Sequence, residues 1–209
     1  MISSRIALLA IFAFGVSVLQ AEVLYSNDLS QEKLDEEPKD TLVLMGKFTV
    51  QERDGNKVVH LPGAPLDAFG MLFGPSETEN YTATALIHGE KKGRRYPSFG
   101  LGINGVGGYR IMVAPAKRAI ELYRGDEVVG SQPFRWQDKT WTHTKIQILK
   151  GKGEEWMINA KVWHKGEDEP KDWQLSYTEV EAPFPGQPSI WGSPYSGKEI
   201  LFDDLVLTR

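Results

Sequence analysis

Apolar residues fall at every second position in run after run of this chain, and that period admits little besides β-sheet. Phe99, Leu101 and Ile103 alternate with Gly100, Gly102 and Asn104. Ile120 and Leu122 alternate with Glu121 and Tyr123, and Ile146 and Ile148 with Lys145 and Gln147. Trp156, Ile158, Ala160 and Val162 alternate with Met157, Asn159, Lys161 and Trp163. Successive side chains on a strand point to opposite faces, so each run offers one face to a core. Only Gln31 to Glu37 competes as helix, closed by Pro38, and its charge suits a loop or single turn better.

Turn chemistry separates the runs. Asp54-Gly55-Asn56, Gly105 to Gly108, Gly125-Asp126 and Gly151-Lys152-Gly153 carry the residues that accept the positive φ of tight hairpins. Pro62, Pro65, Pro75, Pro97, Pro183 and Pro188 stand at strand boundaries, where a missing N–H breaks no ladder. About a dozen short strands at this spacing predict an all-β sandwich or barrel. No repeat, linker or low-complexity tract divides the chain, so one domain is expected over 22–209.

The first residues predict export. Arg5 precedes an apolar run from Ile6 to Leu19, and Ala21 offers a small residue at a cleavage point. That is the layout of a signal peptide over 1–21, and the run is short for a membrane span. Periplasmic or extracellular location follows, with no stable membrane insertion after removal. A retained N-terminal anchor is the alternative. The chain has no cysteine, so neither disulfides nor a lipid-modified cysteine is available, and the core must hold without covalent staples. Such a chain looks bacterial. A net charge of −4 opposes nucleic-acid binding, which depends on neutralising phosphates.

Gly107-Gly108-Tyr109-Arg110-Ile111, Trp141, Ala160-Lys161-Val162-Trp163, Glu169-Pro170, Trp173 and the closing Ile200-Leu201-Phe202-Asp203-Asp204-Leu205-Val206 follow one another in order. This succession resembles the concanavalin A-like lectin and glucanase superfamily, in particular its laminin-G-like members in secreted bacterial proteins. The resemblance implies a two-sheet antiparallel jelly-roll sandwich with one concave face. It also implies that the first and last strands lie side by side, around Leu24 and Phe202. It says little about activity, because one superfold hosts many functions.

The superfamily's glucanases carry Glu-x-Asp-x-Glu along one strand, which sets two carboxyls about 5–5.5 Å apart for a retaining mechanism. Glu179-Val180-Glu181 begins that spacing, but Pro183 takes the third position. Glu167-Asp168-Glu169 is consecutive and belongs to a turn. No catalytic residue is therefore assigned. Gly100-Leu101-Gly102-Ile103-Asn104-Gly105 spells a dinucleotide fingerprint, yet a strand rather than a helix follows it. Those glycines read better as the bare outer face of a strand where another group approaches closely. His60, His88, His143 and His164 are too dispersed to indicate a metal pair.

Asp203-Asp204 invites a structural Ca²⁺, with Asp204 joining Asp28 near the first strand; calcium needs several hard oxygens. The alternative has Asp203 in solvent and Asp204 accepting backbone N–H groups. Lys91-Lys92-Gly93-Arg94-Arg95 reads either as a solvated hairpin loop or as an arm for a uronate or sulfated glycan. Tyr123 falls on the outward phase of its strand, as does Trp163, and Trp191 and Tyr195 lie in a glycine- and proline-broken loop.

The reading that joins these features is a non-catalytic, lectin-like carbohydrate-binding module. Its candidate contacts are His88, Asn104, Arg110 and Tyr123 on strands, with Arg95, Trp191 and Tyr195 on loops. The other readings are a secreted sugar hydrolase of the same fold, and a structural or adhesion domain that contacts another protein.

Overall fold

The computed structural model describes residues 21–64 and 67–209, so the signal peptide expected over 1–21 lies outside it except for Ala21, as does Pro65. Strands are numbered in chain order. Eight form one antiparallel sheet: β1 (Val23–Asn27), β3 (Thr49–Arg53), β4 (Asn56–Leu61), β6 (Tyr81–Gly89), β11 (Thr142–Lys150), β12 (Trp156–His164), β13 (Leu175–Glu179) and β15 (Ile200–Thr208). Seven form the other: β2 (Thr41–Met45), β5 (Phe69–Phe73), β7 (Ser98–Ile103), β8 (Tyr109–Ala114), β9 (Ala119–Arg124), β10 (Glu127–Pro133) and β14 (Ser189–Ser193). The first sheet runs β13-β12-β11-β6-β15-β4-β3, and the second β10-β9-β8-β7-β14-β5-β2. Among the described residues the only helical element is a 3-10 turn at Pro115–Lys117, and Gln31 to Glu37 is turn and coil.

The alternating positions face each other across the sandwich. Ala83, Ile87, Ile146, Ile158 and Phe202 from one sheet meet Phe99, Leu101, Ile111, Leu122 and Ile190 from the other in one buried cluster. Each large side chain removed from water there contributes roughly 1.5–3 kcal/mol against chain entropy. The signalled turns close the hairpins β3–β4, β7–β8, β9–β10 and β11–β12, whereas β6 and β7 lie in opposite sheets, so the loop carrying Lys91 to Arg95 is a crossover between sheets and not the hairpin expected.

The first and last strands pair side by side as expected, but the last strand departs from the expected detail in two ways. β15 pairs β4 through Ile200–Phe202 and β1 through Leu205–Thr208, so one long strand serves two partners along the same edge. Leu24 therefore lies beside the end of β15, while Phe202 sits between Val59 and Ile87. At the change of partner the register with β6 shifts between Asp203 and Val206, and Asp204 takes φ 48°. That bulge reverses the predicted roles of the two acids. Asp203 is buried and accepts from Asn56 Nδ2 (2.8 Å) and the Asp204 N–H (2.8 Å), whereas Asp204 is exposed.

Candidate functional site

The outer face of the seven-stranded sheet is organised by two cross-strand rows. Reading from β9 through β8, β7, β14 and β5, one row is Tyr123, Arg110, Gly102, Ser189 and Leu72. The next is Glu121, Met112, Gly100, Trp191 and Gly70, ending on Met45 of β2. Facing residues on neighbouring strands share a face, so these side chains are neighbours in space. The glycines make a trough between the bulky groups. A Cβ on Gly70 would stand 2.8 Å from Trp191 Cζ3, and one on Gly100 2.5 Å from Met112 Sδ. Bare backbone is what lets those side chains settle onto the sheet.

Into this trough folds an aromatic–cation stack. The Arg110 guanidinium carbon lies 4.6 Å from the Trp191 ring centroid and 5.7 Å from that of Tyr123. Such contacts contribute about 0.5–2 kcal/mol each. Arg110 Nη2 donates to the Gly125 carbonyl (2.6 Å) and to Asp126 (3.1 Å), while its Nε is buried with no acceptor. Trp191 Nε1 donates to Ser189 Oγ (2.8 Å), which fixes the indole. Glu121 is buried beside them and accepts from Lys117 Nζ (2.8 Å) and from the Tyr123 hydroxyl (2.8 Å). Burial, and then the Glu121 carboxylate, hold the Tyr123 phenol above its ordinary range. The Glu121 hydrogen bond likewise raises the Lys117 ammonium.

The result is a cleft of about 240 Å³ whose lining includes Arg110, Met112, Glu121, Tyr123, Trp191 and Tyr195. Four of the seven sequence candidates meet here: Arg110, Tyr123, Trp191 and Tyr195. Trp191 does so from inside strand β14 rather than from a loop, because Gly192 continues the ladder opposite Phe69 and Phe99. Tyr195, 41% exposed, stands in the turn that follows. Glu121, Met112 and Lys117 were not among the candidates. The signal for Glu121 was present, since it shares the outward phase of Tyr123.

The other three candidates lie elsewhere. His88 is on the outer face of the opposite sheet, 5.3 Å from the Trp141 ring, and its Nδ1 is buried without a partner. Arg95 is exposed in the loop that crosses from β6 to β7, its backbone in a local β-bridge with Lys92. Asn104 is buried at φ 59° and ties three segments together. Its Nδ2 donates to the Thr78 (2.8 Å) and Phe184 (2.9 Å) carbonyls, and its N–H to the Tyr81 hydroxyl (3.0 Å). Of the two calcium candidates, Asp28 accepts the Ser30 N–H in a local turn and Asp204 is exposed at the bulge. Among the described residues no group of three or more His, Asp or Glu side chains converges.

Two carboxylates do share a second cleft, Glu179 and Glu181, and both are held by Arg124. Burial alone would raise Glu179. The Val180 and Glu181 N–H groups, the Tyr109 hydroxyl (2.9 Å) and Arg124 outweigh it and bring the carboxyl below its ordinary range. A glycosidase acid must hold its proton near neutrality. Glu179 is arranged to stay ionised, and with Arg124 and the Tyr109 hydroxyl it fastens β13 to β8 and β9.

No family description matches the sequence, and no curated protein matches it either. Solved structures do match. The carbohydrate-binding module CBM66 from Bacillus subtilis aligns at TM-score 0.56 and 12% identity, over 81% of this chain and 96% of that one. The metal-free carbohydrate recognition domain of Emp46p aligns at 0.59 and 11%, over 88% and 94%. The marine PL-14 alginate lyase from Aplysia kurodai aligns at 0.56 and 12%, over 90% and 99%. At such identities the likeness is one of architecture, and binding modules and an enzyme share it. The chain has the concanavalin-like jelly-roll fold.

Proposed function

We propose that this protein is an exported, non-catalytic carbohydrate-binding module and that the Trp191 cleft is its site. The observation that carries the reading is the convergence of Arg110, Tyr123, Trp191 and Tyr195 on one cleft from two strands, a third strand and a turn. A sugar ring presents an apolar face and a rim of hydroxyls. Tyr195 offers an exposed ring for the face, while Arg110 and Glu121 offer a donor and an acceptor for the rim. The solved structures described as carbohydrate-binding support the same reading. A lone carboxylate in the lining, already neutralised by Lys117, favours binding over glycoside hydrolysis.

Calorimetric titration against neutral and anionic oligosaccharides tests the proposal. One glycan class should bind without product, and Trp191→Ala and Tyr195→Ala should each weaken it by about tenfold or more. Equal affinity in wild type and both variants would remove the cleft from consideration; release of product would replace the module with the hydrolase. A structural Ca²⁺ at Asp28 and Asp204 is a separate proposal; its test is whether calcium raises Tm and Asp204→Asn abolishes the rise, and no rise in the wild type would remove it.

The adhesion reading has its own observation. Val180 and Phe184 are 73% and 83% exposed on one loop, and Leu42 and Met45 are exposed on edge strand β2. Apolar exposure of this kind suits a protein contact.

A further inference from the structure

A larger cleft, about 720 Å³, opens beside the Trp191 cleft and is chemically different from it. Its wall carries Lys91, Arg118 and Arg135 together with Tyr96 and Trp136, and a single acid, Asp138. None of the three cations has a carboxylate within ion-pair distance among the described residues. Asp138 already accepts the Lys91 backbone N–H (2.8 Å). Lys92, Arg94 and Arg95 extend the positive charge along the exposed loop between β6 and β7. In a chain of net charge −4, this concentration is local and unneutralised. The Trp136 indole N–H adds a buried donor without an acceptor, in a ring braced edge-on against Phe99 at 6.2 Å.

The cleft is preformed. The Phe134 N–H donates to the Arg118 carbonyl (2.9 Å), and the Lys139 N–H to the Gly89 carbonyl (3.3 Å). These bonds fasten the segment after β10 against the 3-10 turn and the end of β6. The turn also divides the two clefts. Ala114 and Lys117 line the Trp191 cleft, while Pro115 and Arg118 line the basic one. Arg118 takes φ 54°, and that left-handed residue follows Lys117 while lining the other cleft.

We propose that the basic cleft is a second subsite, which takes the carboxylate or sulfate group of an anionic glycan whose neighbouring residue occupies the Trp191 cleft. The inference rests on the carbohydrate reading and extends it to a ligand class. Guanidinium groups fork onto carboxylate and sulfate oxygens, and the flanking Tyr96 and Trp136 rings pack against the sugar that bears them.

The test compares three oligosaccharides of equal length, one neutral, one uronate and one sulfated, with inorganic polyphosphate as a fourth probe. The wild type should bind the uronate or the sulfated sugar about tenfold or more tightly than the neutral one. Which of the two is preferred identifies the group. Arg118→Gln/Arg135→Gln should erase that preference, leave neutral binding and Tm unchanged, and flatten the salt dependence. Retention of the preference in the double variant would overturn the subsite. So would polyphosphate binding as tight as the best glycan, because the cleft would then be a general anion patch. Failure of all three sugars to bind would sink the carbohydrate reading and this subsite together. Neutral binding that Trp191→Ala weakens, with no anionic preference in wild type, would sink the subsite alone.

Discussion

Arg110 stacks on Trp191 with its guanidinium carbon 4.6 Å from the ring centroid, although the two residues belong to strands that are not neighbours. Strand β7 lies between β8 and β14 and presents Gly102 opposite Arg110 and Gly100 opposite Trp191. The contact therefore passes over the two bare glycines of that strand. A single larger residue there would separate the cation from the ring.

Gly70 tests how closely binding depends on this arrangement. An alanine Cβ would stand 2.8 Å from Trp191 Cζ3 and 3.0 Å from Cε3, so the indole must shift. The ring is half-buried on an outer face, and the cost in stability should be modest, about 1 kcal/mol. Glycan affinity in Gly70→Ala should fall by about tenfold, because the displaced ring disturbs Arg110. Intrinsic tryptophan fluorescence and calorimetry on the same variant check both halves. Unchanged affinity with a shifted emission would show that the Trp191 position is irrelevant to the ligand.

Asn104 is the opposite case, a candidate contact that the fold uses for itself. Its Nδ2 joins the carbonyls of Thr78 and Phe184, and its left-handed φ of 59° suits Asn better than most residues. Asn104→Ala leaves those carbonyls without a donor and should cost about 2–3 kcal/mol. Asn104→Asp should cost more, because a carboxylate would face carbonyl oxygens. Chemical denaturation measures both. Glycan affinity of whatever fraction remains folded should equal that of the wild type, and a selective loss of affinity would return Asn104 to the site.

The sheets were legible in the sequence because their period is local, and each run declares its inner face within six or so residues. Tyr123 was legible for the same reason. Trp191 was legible as a contact but not as a strand residue, since Gly192 and Pro194 carry the composition of a loop although the backbone from Ser189 to Ser193 continues a ladder. The meeting of Arg110 with Trp191, and of Arg118 and Arg135 with Lys91, depends on which strands become neighbours. Alternation sets the face a residue takes and leaves strand order open. Asp203 and Asp204 exchanged roles through a bulge, and bulges shift the phase without a compositional mark unless glycine makes them.

The acids divide by the sign of their response to pH. The Arg53 hydrogen bond, and then His60, hold Glu199 below its ordinary 4.5. Glu169 is lowered as well: burial would raise it, but Lys161 and Lys145 outweigh that. Glu179 behaves likewise. A carboxyl depressed in the folded state contributes stability above its unfolded value and loses it as pH falls through the folded one. Burial lowers His60 and His143 below 6.5, so folding opposes their protonation as well. Asp203 runs the other way. Burial raises it above 3.8, so the folded state takes up this proton more readily, and stability gains on acidification. The protein should accordingly lose stability gradually below about pH 6.5 as the histidines charge, and more steeply below about pH 4.5. Urea unfolding at pH 8, 6, 5 and 4 measures the slope. Glu199→Gln should flatten it at the acid end, and Asp203→Asn should steepen it by removing that opposing proton uptake. A flatter slope in Asp203→Asn would mean that Asp203 is ionised and stabilising in the fold, with Asn56 and the Asp204 N–H outweighing its burial.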